Sequence, residues 1–133
     1  MELVPYLFFD GNCEEAFRTY ERVLGGKIEA MLPHEGTPAA EGVPPEWRKK
    51  ILHAELRVGD AKLYASDAPP AHSAPRSGFR VSINVTSVAD AERIFKELAS
   101  GGEITMPLEQ TFFAQRFAML TDRFGTEWMV NCA

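Results

Sequence analysis

The stretch MPLEQTFFAQRFAMLTDRFGTEWMVN, residues 106–131, reads as a loop followed by two strands and the turn between them. Arg116 to Thr121 and Glu127 to Asn131 are short apolar runs. Asp122-Arg123-Phe124-Gly125 separates them and closes on glycine, the signal of an antiparallel hairpin. Ahead of the hairpin, Gln110, Thr111 and Gln115 surround the aromatic pair Phe112-Phe113, with Pro107 at the entrance. Rings beside amides suit a small-molecule pocket, and they suit packing at a hinge of the core equally well.

Working outward, the chain carries the same punctuation twice. Residues 3 to 9 are β-rich, Asp10-Gly11-Asn12 breaks the strand, and Asn12 with Glu15 three positions on is placed to cap a helix. Ala16, Phe17, Tyr20, Val23 and Leu24 recur at helical spacing before Gly25-Gly26 stops the helix. Lys27 to Met31 is a short strand, Leu32 to Lys49 a loop with four prolines, and Lys50 to Val58 and Lys62 to Ser66 flank the turn Gly59-Asp60. The linker Asp67 to Gly78 leads to a strand at Phe79 to Val85. Ser87 with Asp90 caps a second helix, striped with Val88, Ala91, Ile94, Phe95 and Leu98 and ended by Gly101-Gly102. Asn12 and Ser87 are 75 positions apart, Gly25 and Gly101 76. The spacing predicts an α+β fold of two βαβββ modules, module one about 1–67 and module two about 79–133. A lone module cannot bury both sheet faces, so the expectation is one domain, 1–133, whose curved mixed sheets pair around a cleft.

Composition narrows the function classes. A chain of 133 residues with 45% hydrophobic residues is long enough for a real core. The net charge of −5 offers no broad basic surface, so neither nucleic acid nor anionic lipid is an expected partner. No apolar run approaches the roughly 20 residues of a membrane span, and MELVPYLFF lacks the basic start of a signal peptide. The expected location is the cytoplasm, where the unclustered Cys13 and Cys132 stay reduced. No glycine-rich strand-to-helix turn, P-loop or nucleophile elbow is present, which excludes a nucleotide-binding domain and the methyltransferase chemistry that needs one. Cys13 falls in a first helical turn, which favours a thiolate, but Glu14 and Glu15 beside it oppose that.

Strand alternation selects the site candidates, because the face beneath a helix must be apolar. Leu52, Ala54, Leu56 and Val58 form the helix-side set of one strand, which turns His53, Glu55 and Arg57 to the other face. Phe79, Val81, Ile83 and Val85 do the same for another and leave Arg80, Ser82 and Asn84 opposite; Leu63 and Ala65 leave Tyr64 and Ser66. His53 and Glu55, two apart on one face, are candidate acid and base. Tyr64, Ser66, Arg80, Asn84, Gln110 and Phe113 are candidate ligand contacts. An ordinary solvent-facing sheet surface would carry the same polar pattern, and that alternative stays open.

Three segments carry a family resemblance: Tyr6-Leu-Phe-Phe-Asp-Gly-Asn-Cys-Glu-Glu-Ala16, Leu52-His-Ala-Glu-Leu56 and Met106-Pro-Leu-Glu-Gln-Thr-Phe112. Together with the hairpin they resemble the PhnB-like branch of the vicinal oxygen chelate superfamily, which also holds glyoxalase I, bleomycin-resistance proteins and extradiol dioxygenases. The resemblance covers nearly the whole chain and implies the paired-module fold with a ligand cleft. It also implies a homodimer and, in metal-dependent members, ligands early in each module's first strand and late in its last. Those positions fall here on Pro5, Arg80, Met129 and the neighbourhood of Tyr64 to Ser66, none a carboxylate or imidazole, so no metal ligand is assigned and the cofactor is left unknown. His34 and His72 lie in proline-rich loops. The function expected is binding of a small molecule. The alternatives are a metal-dependent isomerase, lyase or dioxygenase of the glyoxalase type, and a metal-free enzyme using His53 and Glu55.

Overall fold

The computed structural model describes residues 1–69 and 77–133, so the middle of the expected linker, with His72, lies outside the described residues. The chain divides into two compact units, Met1–Arg76 and Ser77–Ala133. The first holds β1 (Tyr6–Phe9), α1 (Cys13–Leu24), β2 (Lys27–Pro33), β3 (Ile51–Val58) and β4 (Ala61–Asp67). The second holds β5 (Val81–Val85), α2 (Val88–Ala99), β6 (Glu103–Glu109), β7 (Arg116–Thr121) and β8 (Glu127–Cys132). The sheets have the matching orders β1-β4-β3-β2 and β5-β8-β7-β6. In each, the first pair is parallel and the other two antiparallel. This is the expected α+β architecture of two βαβββ modules.

Each helix lies on its own sheet because the buried strand positions alternate with exposed ones. In the first unit Leu7, Phe9, Ala54, Leu56, Leu63 and Ala65 are buried with Ala16, Phe17, Tyr20 and Val23 of α1, and the Phe9 and Phe17 rings meet edge to face at 6.3 Å. In the second, Ala118, Leu120, Trp128 and Val130 are buried along with Ala91, Ile94 and Leu98 of α2. The helix α1 ends on left-handed Gly25 at φ +68°, whereas α2 is followed by extended Ser100 and then left-handed Gly101 at φ +75°; the next glycine in each case, Gly26 or Gly102, touches a strand backbone. A Cβ on Gly26 would lie 2.6 Å from the Arg57 carbonyl oxygen, and one on Gly102 2.9 Å from the Asp122 Cα.

One buried aspartate fastens each unit internally. Asp67 Oδ1 accepts the Gly11 and Cys13 N–H groups, each at 2.9 Å, while Oδ2 accepts Ile51 N–H at 2.8 Å. Asp122 Oδ1 accepts Phe124 and Thr126 N–H at 2.9 Å, and Oδ2 accepts the Trp128 indole N–H at 2.8 Å.

The structure departs from the sequence expectations at several points. Asn12 makes no side-chain capping bond; the Asp67 carboxylate satisfies the start of α1 in its place. Ser87 does cap α2, accepting Asp90 N–H at 3.2 Å. Phe79 lies ahead of β5 and is 53% exposed, not core. Met106 to Glu109 belong to the edge strand β6 and not to a loop. The β2–β3 connection contains two short 3₁₀ turns, Pro38–Gly42 and Pro45–Trp47.

Candidate functional site

The face of the first sheet turned away from α1 carries Tyr6 and Phe8 from β1, His53 and Glu55 from β3 and Tyr64 from β4. Register brings them together: Tyr6 pairs with Tyr64 across the parallel ladder, and Tyr64 with Glu55 across the antiparallel one. His53 Nε2 lies 3.1 Å from Glu55 Oε1, and His53 Nδ1 lies 3.0 Å from the Tyr6 hydroxyl. A carboxylate only accepts, so Nε2 carries the proton; in the neutral ring Nδ1 then accepts from the Tyr6 hydroxyl. The result is a directed chain, Tyr6 O–H to His53 to Glu55. The rings pack as well: His53 and Tyr64 at 5.3 Å, Tyr6 and His53 at 5.7 Å, Tyr6 and Phe8 at 5.1 Å. None of the five is buried, so the group is reachable from solvent.

Ser66 follows the same alternation, but its residue is 9% exposed, so it has little surface to offer a ligand. The remaining candidates lie in the second unit. The Arg80 guanidinium is tied down, Nη1 donating to the Leu120 and Trp128 carbonyl oxygens at 3.1 and 3.4 Å. Asn84 is exposed and accepts from the Ser82 hydroxyl at 3.3 Å along the same strand. Gln110 is exposed and has no hydrogen-bond partner among the described residues. Phe113 is 55% exposed and packs edge to face on Phe117 at 5.1 Å and on the fully exposed Phe112 at 5.2 Å. That loop is held by Thr111, whose Oγ1 accepts Phe113 and Ala114 N–H. Cys13 is buried, and burial, then the charges of Asp67 and Glu14, push its thiol far above the usual range, which opposes a nucleophilic role. Tyr6 and Phe8 are the residues the alternation argument missed.

A family model described as Glyoxalase/Bleomycin resistance protein/Dioxygenase superfamily matches residues 2–130. The chain belongs to this superfamily. Protein YjdN of Escherichia coli K12 is 35% identical over 139 residues, spanning 98% of this chain and 95% of that protein. The crystal structure of PA1353 from Pseudomonas aeruginosa is 51% identical and superposes with a TM-score of 0.91 over 99% of this chain and 97% of that one. The PhnB protein of Bacillus cereus, described as a putative 3-demethylubiquinone-9 3-methyltransferase, is 20% identical with a TM-score of 0.82 over the whole of both chains; that likeness is one of fold.

Metal chemistry occurs in the superfamily, so the donor set of this member can be tested. The Pro5 carbonyl oxygen already accepts Tyr64 N–H at 3.0 Å, Arg80 is a cation bound to carbonyls, and Met129 offers a thioether. Among the described residues no three His, Cys, Asp or Glu side chains gather as a metal would require. His53 and Glu55 supply two donors, already bonded to each other. This set does not fit a first-row divalent metal.

Proposed function

We propose that this superfamily member binds a small molecule on the Tyr6–Phe8–His53–Glu55–Tyr64 face of its first sheet. The observation that supports the reading is the mutual fastening of His53, Glu55 and Tyr6 by hydrogen bonds while they stay open to solvent. Fixing a surface side chain costs rotamer entropy, and here the hydrogen bonds and ring contacts among the side chains already meet part of that cost. A preorganised aromatic face spares a ligand that cost. The test is a fragment screen read by aromatic NMR shifts of Tyr6, His53 and Tyr64. Hits should move these rings and lose about tenfold in affinity in Tyr64→Ala, the size expected for one lost ring contact. Hits that leave all three rings unmoved refute the reading. Arg80, Asn84, Gln110 and Phe113 are kept as further candidate contacts, and the cytoplasm, with two free buried thiols, as the proposed location.

The directed hydrogen-bond chain favours a second reading, metal-free proton transfer. The Tyr6 oxygen takes a proton from the ligand's carbon as its own hydroxyl proton passes to His53 Nδ1, and the imidazolium so formed lies beside the Glu55 carboxylate, which stabilises it; the reverse transfer returns a proton to the carbon. Exchange of carbon-bound hydrogen of a bound ketone for deuterium, lost in His53→Ala, would support this reading; exchange unchanged by that substitution removes it.

A further inference from the structure

The binding face of the first sheet has a sign of charge as well as a shape. Among the described residues, the two cations that alternation places on this face are paired with other carboxylates: Arg57 lies 3.0 Å from Glu29 and Lys62 lies 3.3 Å from Glu2. Lys50 donates to the Gly11 carbonyl oxygen at 2.9 Å. Glu55 has no Lys or Arg partner among the described residues. Its Oε1 takes the His53 bond, and its Oε2 takes none among the described residues. His53 orients that carboxylate through one oxygen, at 3.1 Å. The ring faces beside it add to the effect, since an aromatic ring is negative over its face and positive at its edge. Tyr6 is 37% exposed and Phe8 52%, and the Tyr64 hydroxyl has no hydrogen-bond partner among the described residues.

We infer that the ligand of this face is an organic cation with a flat apolar body, such as a protonated or quaternary aryl amine. The inference rests on the proposed small-molecule site and names its ligand class. The apolar body stacks on Tyr6 and Phe8, where it gains dispersion, and the cationic end beside those rings gains cation–π attraction. The charged nitrogen faces Glu55 Oε2. His53 acts as a positioning residue, holding the carboxylate and the Tyr6 hydroxyl in place. An anion of the same size meets a carboxylate and π-faces, and is repelled by both.

The test titrates the full-length chain with three probes of similar size: benzyltrimethylammonium, benzyl alcohol and phenylmethanesulfonate. Shifts of the Tyr6, His53 and Tyr64 ring signals are followed in the wild type and in Glu55→Gln. The ammonium should bind about tenfold tighter than the alcohol, as one cation–π contact plus one partly exposed ion pair allows. The sulfonate should leave the rings unmoved, and Glu55→Gln should bring the ammonium down to the level of the alcohol at unchanged melting temperature. If alcohol and ammonium move the same rings with equal affinity, or Glu55→Gln leaves the ammonium unaffected, the cation assignment fails while the binding site stands. If no probe moves the rings at millimolar concentration, the cation assignment fails. The fragment screen then decides the site itself.

Discussion

Cys13 shows how an environment can silence a residue that looks reactive by position. Its thiol is buried beside Asp67 and Glu14, so the folded state holds the proton well above the unfolded thiol pKa of about 8.5. Below that pH the proton is bound in both states and nothing is gained or lost. Above it only the unfolded chain ionises, so stability falls as pH rises, by up to one proton or about 1.4 kcal/mol per pH unit. Urea titrations at pH 8 and pH 10 should show this slope reduced in Cys13→Ala; an unchanged slope would place the effect elsewhere. Gln110 is the opposite case, exposed and without a partner among the described residues. Gln110→Ala should leave the melting temperature unchanged, and if the loop contacts ligand, affinity should fall about tenfold with one or two lost hydrogen bonds. A drop in melting temperature would show that Gln110 serves its own loop. His53 and Glu55 were legible because Ala54 and Leu56 beside them are clearly apolar. Tyr6 was not, since Tyr6-Leu7-Phe8-Phe9 offers no polar contrast between faces. Asp67 was illegible for another reason: its backbone partners Gly11 and Cys13 lie 56 and 54 positions away, beyond any local spacing rule.

At the scale of elements, both helices were legible from their stripes and paired glycines, but the stripes do not weigh equally. Phe17 is fully buried against Phe9 and Tyr20, so Phe17→Ala should cost roughly 3–5 kcal/mol through lost burial and a cavity. Phe95 is only half-buried, and Phe95→Ala should cost roughly 1–2 kcal/mol, less than the sequence stripe alone suggests. Equal losses in chemical denaturation would contradict the burial difference. The second glycine of each pair is required by close approach. Gly102→Ala pushes a methyl group into the Thr121–Asp122 backbone and should destabilise by roughly 1–3 kcal/mol, whereas Gly42, with open space around it and no positive φ, should tolerate alanine. The strand β6 escaped sequence reading for a physical reason. Every residue but Leu108 is exposed, and its pairing to β7 shifts register twice around Met106. Pro107 lies in it, a residue that edge strands tolerate and that otherwise signals a loop.

At the scale of the molecule, the duplication is written in the ladders as well as in the sequence. Tyr6 pairs with a residue 58 positions on and Val81 with one 47 positions on. The difference of 11 equals the excess of the β2–β3 connection, 17 residues, over the β6–β7 connection, 6 residues. One ladder plan therefore serves both units, with the β2–β3 connection carrying most of the extra length and the hairpin turns differing in the other direction, 2 residues between β3 and β4 against 5 between β7 and β8. The same plan leaves β1 and β2 as the edges of one sheet and β5 and β6 as those of the other, each with one side of its ladder unpaired; β2 and β6 are the edges next to the β2–β3 and β6–β7 connections. Leu32 on β2 is 52% exposed, and Ile104 and Met106 on β6 are 50% and 40% exposed. Open edges bearing apolar side chains invite pairing with another chain, and a twofold contact is the default for identical chains. We propose a homodimer made through the β2 edge, beside the connection that begins at His34. Light scattering at micromolar concentration should then give twice 14.8 kDa, and Leu32→Lys, which puts a charge into that contact while sparing the core, should halve it. A wild-type mass of 14.8 kDa would rule the dimer out, and a dimer indifferent to Leu32→Lys would move the contact away from β2.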